Sequence, residues 1–166
     1  MAPIVGKDYT IQKIQPILME LIKDENADVR LNVVSGMTKV AGVIGAEVLN
    51  PQFLTTITNM TKDAQWRVRM GVFELIGELS KMYGKEVFLK HLEPIFLTYL
   101  TNTAASVRDM GIKKSREIAE KYKSEWVYTS FLPKVIENFN IDKQGYNYRM
   151  CSLYSMQAVI PYITKE

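Results

Sequence analysis

The apolar positions along the chain recur with the period of an α-helix. In one early stretch they fall at i, i+3, i+4, i+7 and i+8, on one helical face: Ile14, Ile17, Leu18, Leu21 and Ile22. The same spacing returns, position for position, between Leu92 and Leu100. No stretch alternates apolar and polar residues as a half-buried strand does. The pattern therefore predicts an all-α chain.

Each of these helices is followed by a short polar loop and then by a second apolar series. The second series runs from Val29 to Ile44 in one case and from Val68 to Tyr83 in the next. Asp24 and Asp63 lie where one helix ends and the next begins, which suits a short side chain that stabilises a turn. The chain is thus predicted to consist of helical hairpins.

Three sequence marks recur every 39 residues and identify the hairpins as copies of one repeat. The first mark is an arginine preceded by valine: Arg30, Arg69 and Arg108. The second mark is a set of equivalent positions that open each unit: Gly6, Gly45, Gly84 and Lys123. The third mark is proline, with Thr55 in the vacant slot: Pro16, Pro94 and Pro133. In a fourth unit Arg149 follows Arg108 by 41 residues, and the loop 142–147 accommodates the two additional residues.

This period defines the predicted domain organisation. Residues 1–5 correspond to the tail of a preceding repeat, and the four repeats cover 6–44, 45–83, 84–122 and 123–166. Two helices per unit with this period are typical of HEAT and armadillo repeats. We therefore expect an α-α superhelix, a HEAT-repeat solenoid of four helical hairpins. Because neither end has room for a polar capping repeat, we expect the units to belong to a longer solenoid.

Composition narrows the possible functions. Lys and Arg number 21 against 18 Asp and Glu, and this net charge of +3 is too small to indicate a nucleic-acid partner. The single cysteine, Cys151, and the single histidine, His91, lie in different repeats, so they indicate neither a disulfide framework nor a catalytic pair. No apolar run approaches the roughly 18 residues of a membrane helix. We expect a non-enzymatic protein without cofactors, located in the cytoplasm with the nucleus as a second compartment.

Two features of the predicted second helices concern packing and exposure. Gly71 and Gly111 indicate close contact with a neighbouring helix, because a glycine within a helix costs about 1 kcal/mol. A basic stretch interleaved with acids is interpreted as a solvated helix face rather than a nucleic-acid site: Lys113, Lys114, Arg116, Lys121 and Lys123.

The recurring acids and arginines have two interpretations. In the structural one, they form a ladder of charge-assisted hydrogen bonds that fixes the register between repeats. In the functional one, the arginines line a binding ridge. The regular recurrence favours the structural ladder, which would contain Asp24, Arg30, Asp63, Arg69, Arg108, Asp142 and Arg149.

The loop residues that vary between repeats are better candidates for binding a partner. Trp66 is an unusual residue for a short turn that opens with an aspartate, and Trp and Arg are enriched among interface hot spots. Tyr146 supplies the aromatic ring in the longer fourth loop. The alternative for Trp66 is that it folds back over its own helix pair.

These residues resemble a known family, the scaffold (A, regulatory) subunit of protein phosphatase 2A. The likeness extends over essentially the whole chain, and the Trp-Arg-Val-Arg loop is its most specific element. The segments that carry it are 3–8, 28–32, 63–69, 123–126, 131–135 and 146–150. By their order, the four repeats resemble the tenth through thirteenth HEAT repeats of that scaffold.

The resemblance implies a function and a set of contact residues. It implies a scaffold whose inner-ridge loops bind the phosphatase catalytic subunit, whereas regulatory subunits bind other repeats of the full-length scaffold and not this fragment. Ser106 stands where the family often has a larger aromatic residue, which weakens the third loop. The implied partner-binding residues are Gln65, Trp66, Arg67, Ala105, Ser106, Tyr146 and Tyr148. The alternative is a HEAT-repeat adaptor of the nuclear-transport or condensin type that binds proteins or peptides along its helices.

Overall fold

The computed structural model describes Ile4, residues 6–139 and residues 145–163, and every regular element within these residues is a helix. The predicted all-α class is therefore confirmed. The chain divides into two units, one ending at Ile95 and the other beginning at Phe96, and we describe each by itself.

Unit one contains two helix pairs. Its helices are α1 (Lys7–Tyr9), α2 (Gln15–Leu21), α3 (Ala27–Ile44), α4 (Pro51–Met60) and α5 (Trp66–Val87). α2 packs on α3, α4 packs on α5, and α3 packs along α5. The second helices of successive pairs are therefore neighbours, as the repeat pattern predicts.

Unit two has the same arrangement of helices. After the short helix α6 (Glu93–Phe96) and a 3-10 segment (Leu97–Thr101), its helices are α7 (Ala105–Trp126), α8 (Leu132–Phe139) and α9 (Tyr146–Val159). α9 packs on both α7 and α8. The second helices of the four pairs begin at intervals of 39, 39 and 41 residues, at Ala27, Trp66, Ala105 and Tyr146.

The positions that open each repeat share an unusual backbone conformation. The φ angles of Gly6, Gly45 and Gly84 are 81°, 80° and 82°. The equivalent residue of the fourth repeat, Lys123, has a φ of 59° and is the one described residue other than glycine with positive φ. Glycine adopts this region without steric cost, whereas a side chain with a Cβ is strained there. The second sequence mark is therefore a conformational requirement of the joint between repeats.

The recurrent prolines accompany a second backbone feature. Each lies two residues beyond a π-helical turn, and these turns are Thr10–Ile14, Phe88–Leu92 and Val127–Phe131. Proline lacks an N–H and its ring crowds the preceding turn, and the wider π-helical turn relieves both problems. Where Thr55 replaces the proline, a helix begins anew at Pro51, and the Asn50 side chain caps it by accepting the Phe53 N–H at 2.9 Å.

The two helix glycines make the close contacts that the sequence predicts. A Cβ on Gly71 would lie 3.0 Å from Leu31 Cδ1, and a Cβ on Gly111 would lie 2.1 Å from Tyr99 Cγ. The Tyr99 ring is fully buried against α7. Its hydroxyl lies 2.9 Å from the Ser115 hydroxyl and 2.8 Å from the Ser155 hydroxyl, both also buried.

The interpretation of the basic stretch as a wholly solvated face is wrong at Lys114. This residue is 5% exposed and donates a hydrogen bond to Glu117 Oε2 at 3.0 Å. The reason is helical spacing, because Lys114 follows Gly111 by three residues and precedes Ile118 by four, and both neighbours are buried. Lys113 and Arg116 are exposed, as predicted.

Candidate protein-binding loops

The loops between the paired helices share one local construction. Each opens with an Asp or Asn side chain whose Oδ1 accepts the backbone N–H two residues later. The distances are 2.7 Å for Asp24 with Asn26, 2.8 Å for Asp63 with Gln65 and 3.1 Å for Asn102 with Ala104. This side-chain turn holds the chain in place where it reverses direction before the second helix.

An arginine from the second helix closes each loop. The Arg30 Nη1 group donates to the Asp24 carbonyl at 2.7 Å and to the Glu25 carbonyl at 3.0 Å. The equivalent nitrogens of Arg69 and Arg108 donate to the two corresponding carbonyls of their own loops. The loop backbone is therefore fixed at its first residues by a charged donor.

Arg30 also contacts the next loop of unit one. Its Nε donates to Asp63 Oδ2 at 2.8 Å and its Nη2 donates to Asp63 Oδ1 at 2.9 Å, a bidentate pair. Burial opposes ionisation of Asp63, but hydrogen bonds from Arg30 and the Gln65 N–H, with the charges of Arg30 and Arg69, hold the pKa of this carboxyl below its ordinary value. Arg30 therefore joins two successive turns through one guanidinium group.

The second loop of unit one displays the most prominent candidate residues. Gln65 is the residue before α5, Trp66 is the first residue of that helix, and both are exposed. The Trp66 side chain is 38% exposed, and the guanidinium carbon of Arg67 lies 5.4 Å from its ring centroid, within the range of a cation–π contact. Trp66 thus presents part of its ring to solvent instead of closing entirely over its own helix pair.

The candidate residues of unit two differ in exposure. Ala105 and Ser106 are exposed at the start of α7, and Tyr146 is 68% exposed at the start of α9. Tyr148 is half-buried, and the guanidinium carbon of Arg108 lies 5.8 Å from its ring centroid. Unit two therefore brings a residue of the predicted ladder, Arg108, into contact with a candidate binding residue of the fourth loop.

The rest of the predicted ladder is described only in part. Arg149 is exposed near the start of α9, and Asp142 lies outside the described residues. Asn102 occupies the position of the acids in the third loop, and its side chain stabilises the turn without a charge. The ladder as a register device beyond the Arg30–Asp63 contact stays a prediction.

Other chemistry-bearing groups lie away from these loops. Cys151 is buried in α9, and burial raises the pKa of its thiol to about 11. Among the described residues, no three His, Cys, Asp or Glu side chains come together as a metal site would require. The helices of the described segments also include none that is long and apolar enough to cross a membrane.

Sequence reasoning missed one set of surface residues. Lys113 and Arg116 of α7 line an open groove together with residues of α9, including Tyr154 and Ala158. The signal was available in the repeat register, because equivalent positions of α3 and α5 line a groove in unit one.

Comparison with curated proteins shows distant homology to the protein phosphatase 2A scaffold. No protein-family profile matches the chain. The beta isoform of the human 65 kDa regulatory subunit of serine/threonine-protein phosphatase 2A is 30% identical over 108 residues, which are 63% of this chain and 18% of that protein. The rat protein of the same name is 29% identical over 140 residues, which are 84% of this chain and 23% of that protein. The 65 kDa regulatory subunit of the same phosphatase from Drosophila melanogaster is 24% identical over the same length.

The chain spans about a fifth of the length of these relatives. Among solved structures, the one titled "Crystal structure of Cex1p" superposes with a TM-score of 0.73 at 14% identity, covering 96% of this chain and 31% of that one. This likeness concerns the fold alone, and it agrees with an all-α fold of the HEAT-repeat type. The homology and the fold together support a HEAT-repeat scaffold.

Proposed function

We propose that the chain is a non-catalytic scaffold whose loops bind the catalytic subunit of a type 2A protein serine/threonine phosphatase. The observation that carries this proposal is the exposed Trp66–Arg67 pair at the start of α5. It combines an apolar ring and a guanidinium group at 5.4 Å on a turn that is fixed from two sides. The distant homology to the phosphatase scaffold supports the choice of partner.

The local structure explains how such a pair could contribute to affinity. The Asp63 turn is fixed by the Gln65 N–H and by Arg30, so little backbone entropy is lost on binding. The Trp66 ring would bury its exposed face against the partner, while Arg67 would pair with an acidic side chain. Aromatic rings and arginines at the centre of an interface commonly contribute about 2–4 kcal/mol when they are hot spots.

The loops of unit two would extend the contact. Tyr146 offers the largest exposed surface, Ala105 and Ser106 offer small side chains, and Tyr148 is held in place by Arg108. Within this proposal the four repeats correspond to the tenth through thirteenth of the family scaffold, regulatory subunits bind elsewhere on the full-length protein, and the complex resides in the cytoplasm and the nucleus.

The test is binding of purified phosphatase 2A catalytic subunit to the parent chain and to a Trp66→Ala, Arg67→Glu variant. Surface plasmon resonance should show binding by the parent and a loss of at least about 2 kcal/mol in the variant. The matched control is Tyr9→Ala, Lys13→Glu, which removes an exposed aromatic ring and reverses a charge on the first repeat. Circular dichroism establishes that all three proteins have equal helix content.

Three outcomes contradict the proposal. They are equal binding by the parent and the loop variant, an equal loss in the control, and no binding by the parent. The alternative HEAT-repeat adaptor predicts contacts along the helices, so its partner would bind the parent and the loop variant alike.

A further inference from the structure

Unit two contains an open groove between the second helices of its two pairs. The groove has a volume of about 590 Å³ and lies between α7 and α9. Ile112 and Ala158 contribute apolar surface, and Tyr154, which is 51% exposed, contributes an aromatic ring. Pro161, which follows α9, lines it as well. A groove of this size admits a few side chains of a peptide rather than a folded domain.

The charges around this groove are unbalanced. Lys113 and Arg116 line it from α7, are both exposed and form no ion pair with any described residue. Asp109 is the one acidic residue that lines the groove, so the two cations exceed it by one charge. Gln157 adds an amide that can bind peptide backbone.

The equivalent groove of unit one has the opposite character. It lies between α3 and α5 and has a volume of about 290 Å³. Two repeats earlier than Lys113 and Arg116 stand Ser35 and Thr38, and two repeats earlier than Tyr154 and Ala158 stand Glu74 and Glu78. Polar and acidic residues in unit one thus correspond to basic, aromatic and small residues in unit two. Because the repeat frame is common to both, the difference is confined to side chains that face the groove.

We propose that the groove between α7 and α9 binds a short acidic segment of another protein that carries at least one large apolar side chain. Carboxylates of the segment pair with Lys113 and Arg116, and its apolar side chain packs between Ile112, Tyr154 and Ala158. Asp109 and the apolar walls disfavour a nucleic-acid strand, because phosphates would meet a like charge and few further cations. This proposal is independent of the phosphatase partner, because it concerns the faces of α7 and α9 and not the loops.

The test begins with a library of short random peptides displayed on phage and selected on the purified parent chain. We expect selected sequences to be enriched in Asp and Glu next to Trp, Phe or Leu. A fluorescein-labelled copy of the best sequence is then titrated by anisotropy against the parent and against Lys113→Glu, Arg116→Glu. Reversal of two partly solvated charges should weaken binding about tenfold or more.

Two further variants make the result specific. Ala158→Trp fills the apolar part of the groove without changing charge and should also weaken binding about tenfold. Lys90→Glu, Lys134→Glu changes the net charge as much as the first variant, but neither residue lines the groove, so affinity should stay within about twofold. Urea unfolding of each variant verifies that it is folded.

Several results would overturn the inference. No selected peptide, a selection without acidic enrichment, or equal binding by the parent and both groove variants would each do so. An equal loss with Lys90→Glu, Lys134→Glu would show an effect of net charge alone and would also overturn it. So would competition of the peptide by a single-stranded oligonucleotide that binds more tightly than the peptide.

Discussion

At the scale of single residues, Gly111 occupies a position in α7 that the Tyr99 ring leaves no room to enlarge. A Cβ there would overlap the ring at 2.1 Å, and the ring cannot move freely because its hydroxyl meets Ser115 and Ser155 in the interior. The residue is therefore required by packing, although glycine disfavours the helix that contains it.

We expect Gly111→Ala to lower the free energy of unfolding by about 2 kcal/mol, because overpacking outweighs the gain in helix propensity. Urea denaturation followed by circular dichroism measures this difference. The control is Gly36→Ala in α3, where no atom lies within 4 Å of the added Cβ. That change should raise the free energy of unfolding by up to about 1 kcal/mol, and a similar loss in both variants would contradict the packing argument.

Lys123 is the residue whose backbone conformation fits its side chain least. It has the φ of 59° that glycines supply in the other repeats. We expect Lys123→Gly to raise the free energy of unfolding by about 1 kcal/mol, because strain relief exceeds the entropy that glycine adds to the unfolded chain. The reverse change at the equivalent joint, Gly84→Ala, should be destabilising, and thermal unfolding of both variants tests the pair.

At the scale of elements, the loop before α3 and the loop before α5 are joined by Arg30 and Asp63. Burial favours the neutral form of Asp63, but the hydrogen bonds from Arg30 and the Gln65 N–H outweigh it, so the pKa lies below its ordinary value in the folded protein. The pair therefore contributes its full stability above the pKa of the unfolded carboxyl, about 4, and loses it as the pH falls through the lower folded value.

We expect Asp63→Asn to lower the free energy of unfolding by about 2 kcal/mol at pH 7, since a charged hydrogen-bond partner is lost. The difference from the parent should shrink below about pH 4, when Asp63 of the parent is protonated as well. Urea denaturation at pH 7 and pH 3 measures it. Glu47→Gln is the control, because the Lys7–Glu47 pair is exposed and should contribute less than about 0.5 kcal/mol at either pH.

Much of the element arrangement is predictable from the sequence, and particular residues show why the rest is not. Periodicity and the Val-Arg mark locate α3, α5 and α7, because helical spacing is a local property of the chain. The direction of the Arg30 contact is not local. Arg30 binds the side chain of Asp63, 33 residues away, and only the backbone carbonyl of Asp24 in its own loop. A recurring acid–arginine spacing is compatible with either partner.

The candidate sites show the same division. The sequence points to Trp66 and Arg67 because their residue types are unusual for a turn. Lys114 and Lys113 are neighbours of the same type, yet one is buried and the other lines the groove. Only the rotation of α7 relative to its neighbours separates their roles, and that rotation depends on contacts such as the one between Gly111 and Tyr99.

At the scale of the whole molecule, a repeat protein distributes its stability among units that contact mainly their neighbours. The HEAT-like likeness at 14% identity agrees with this, because stacking needs the apolar pattern and the joints rather than particular surface residues. A local defect should therefore have a local effect.

We expect Gly111→Ala to reduce hydrogen-exchange protection in α7 and α9 while α3 keeps that of the parent. Hydrogen–deuterium exchange with mass spectrometry measures each helix. Cys151 provides a second readout, because its thiol is 2% exposed and should react faster with a thiol reagent when α9 opens more often. An equal loss of protection in α3 would show instead that the chain opens as one cooperative body.

The joints at Gly6, Gly45, Gly84 and Lys123 have a consequence for how such a chain can change its length over evolution. Because every joint leaves one helix and enters the next at nearly the same backbone angles, the DNA encoding one unit is a self-contained cassette. Unequal crossing-over between two joints would add or delete a complete hairpin without creating a new kind of seam. The glycine codon at each joint marks the place where such an exchange does least harm, and Lys123 is the seam at which a newly inserted hairpin would inherit strain.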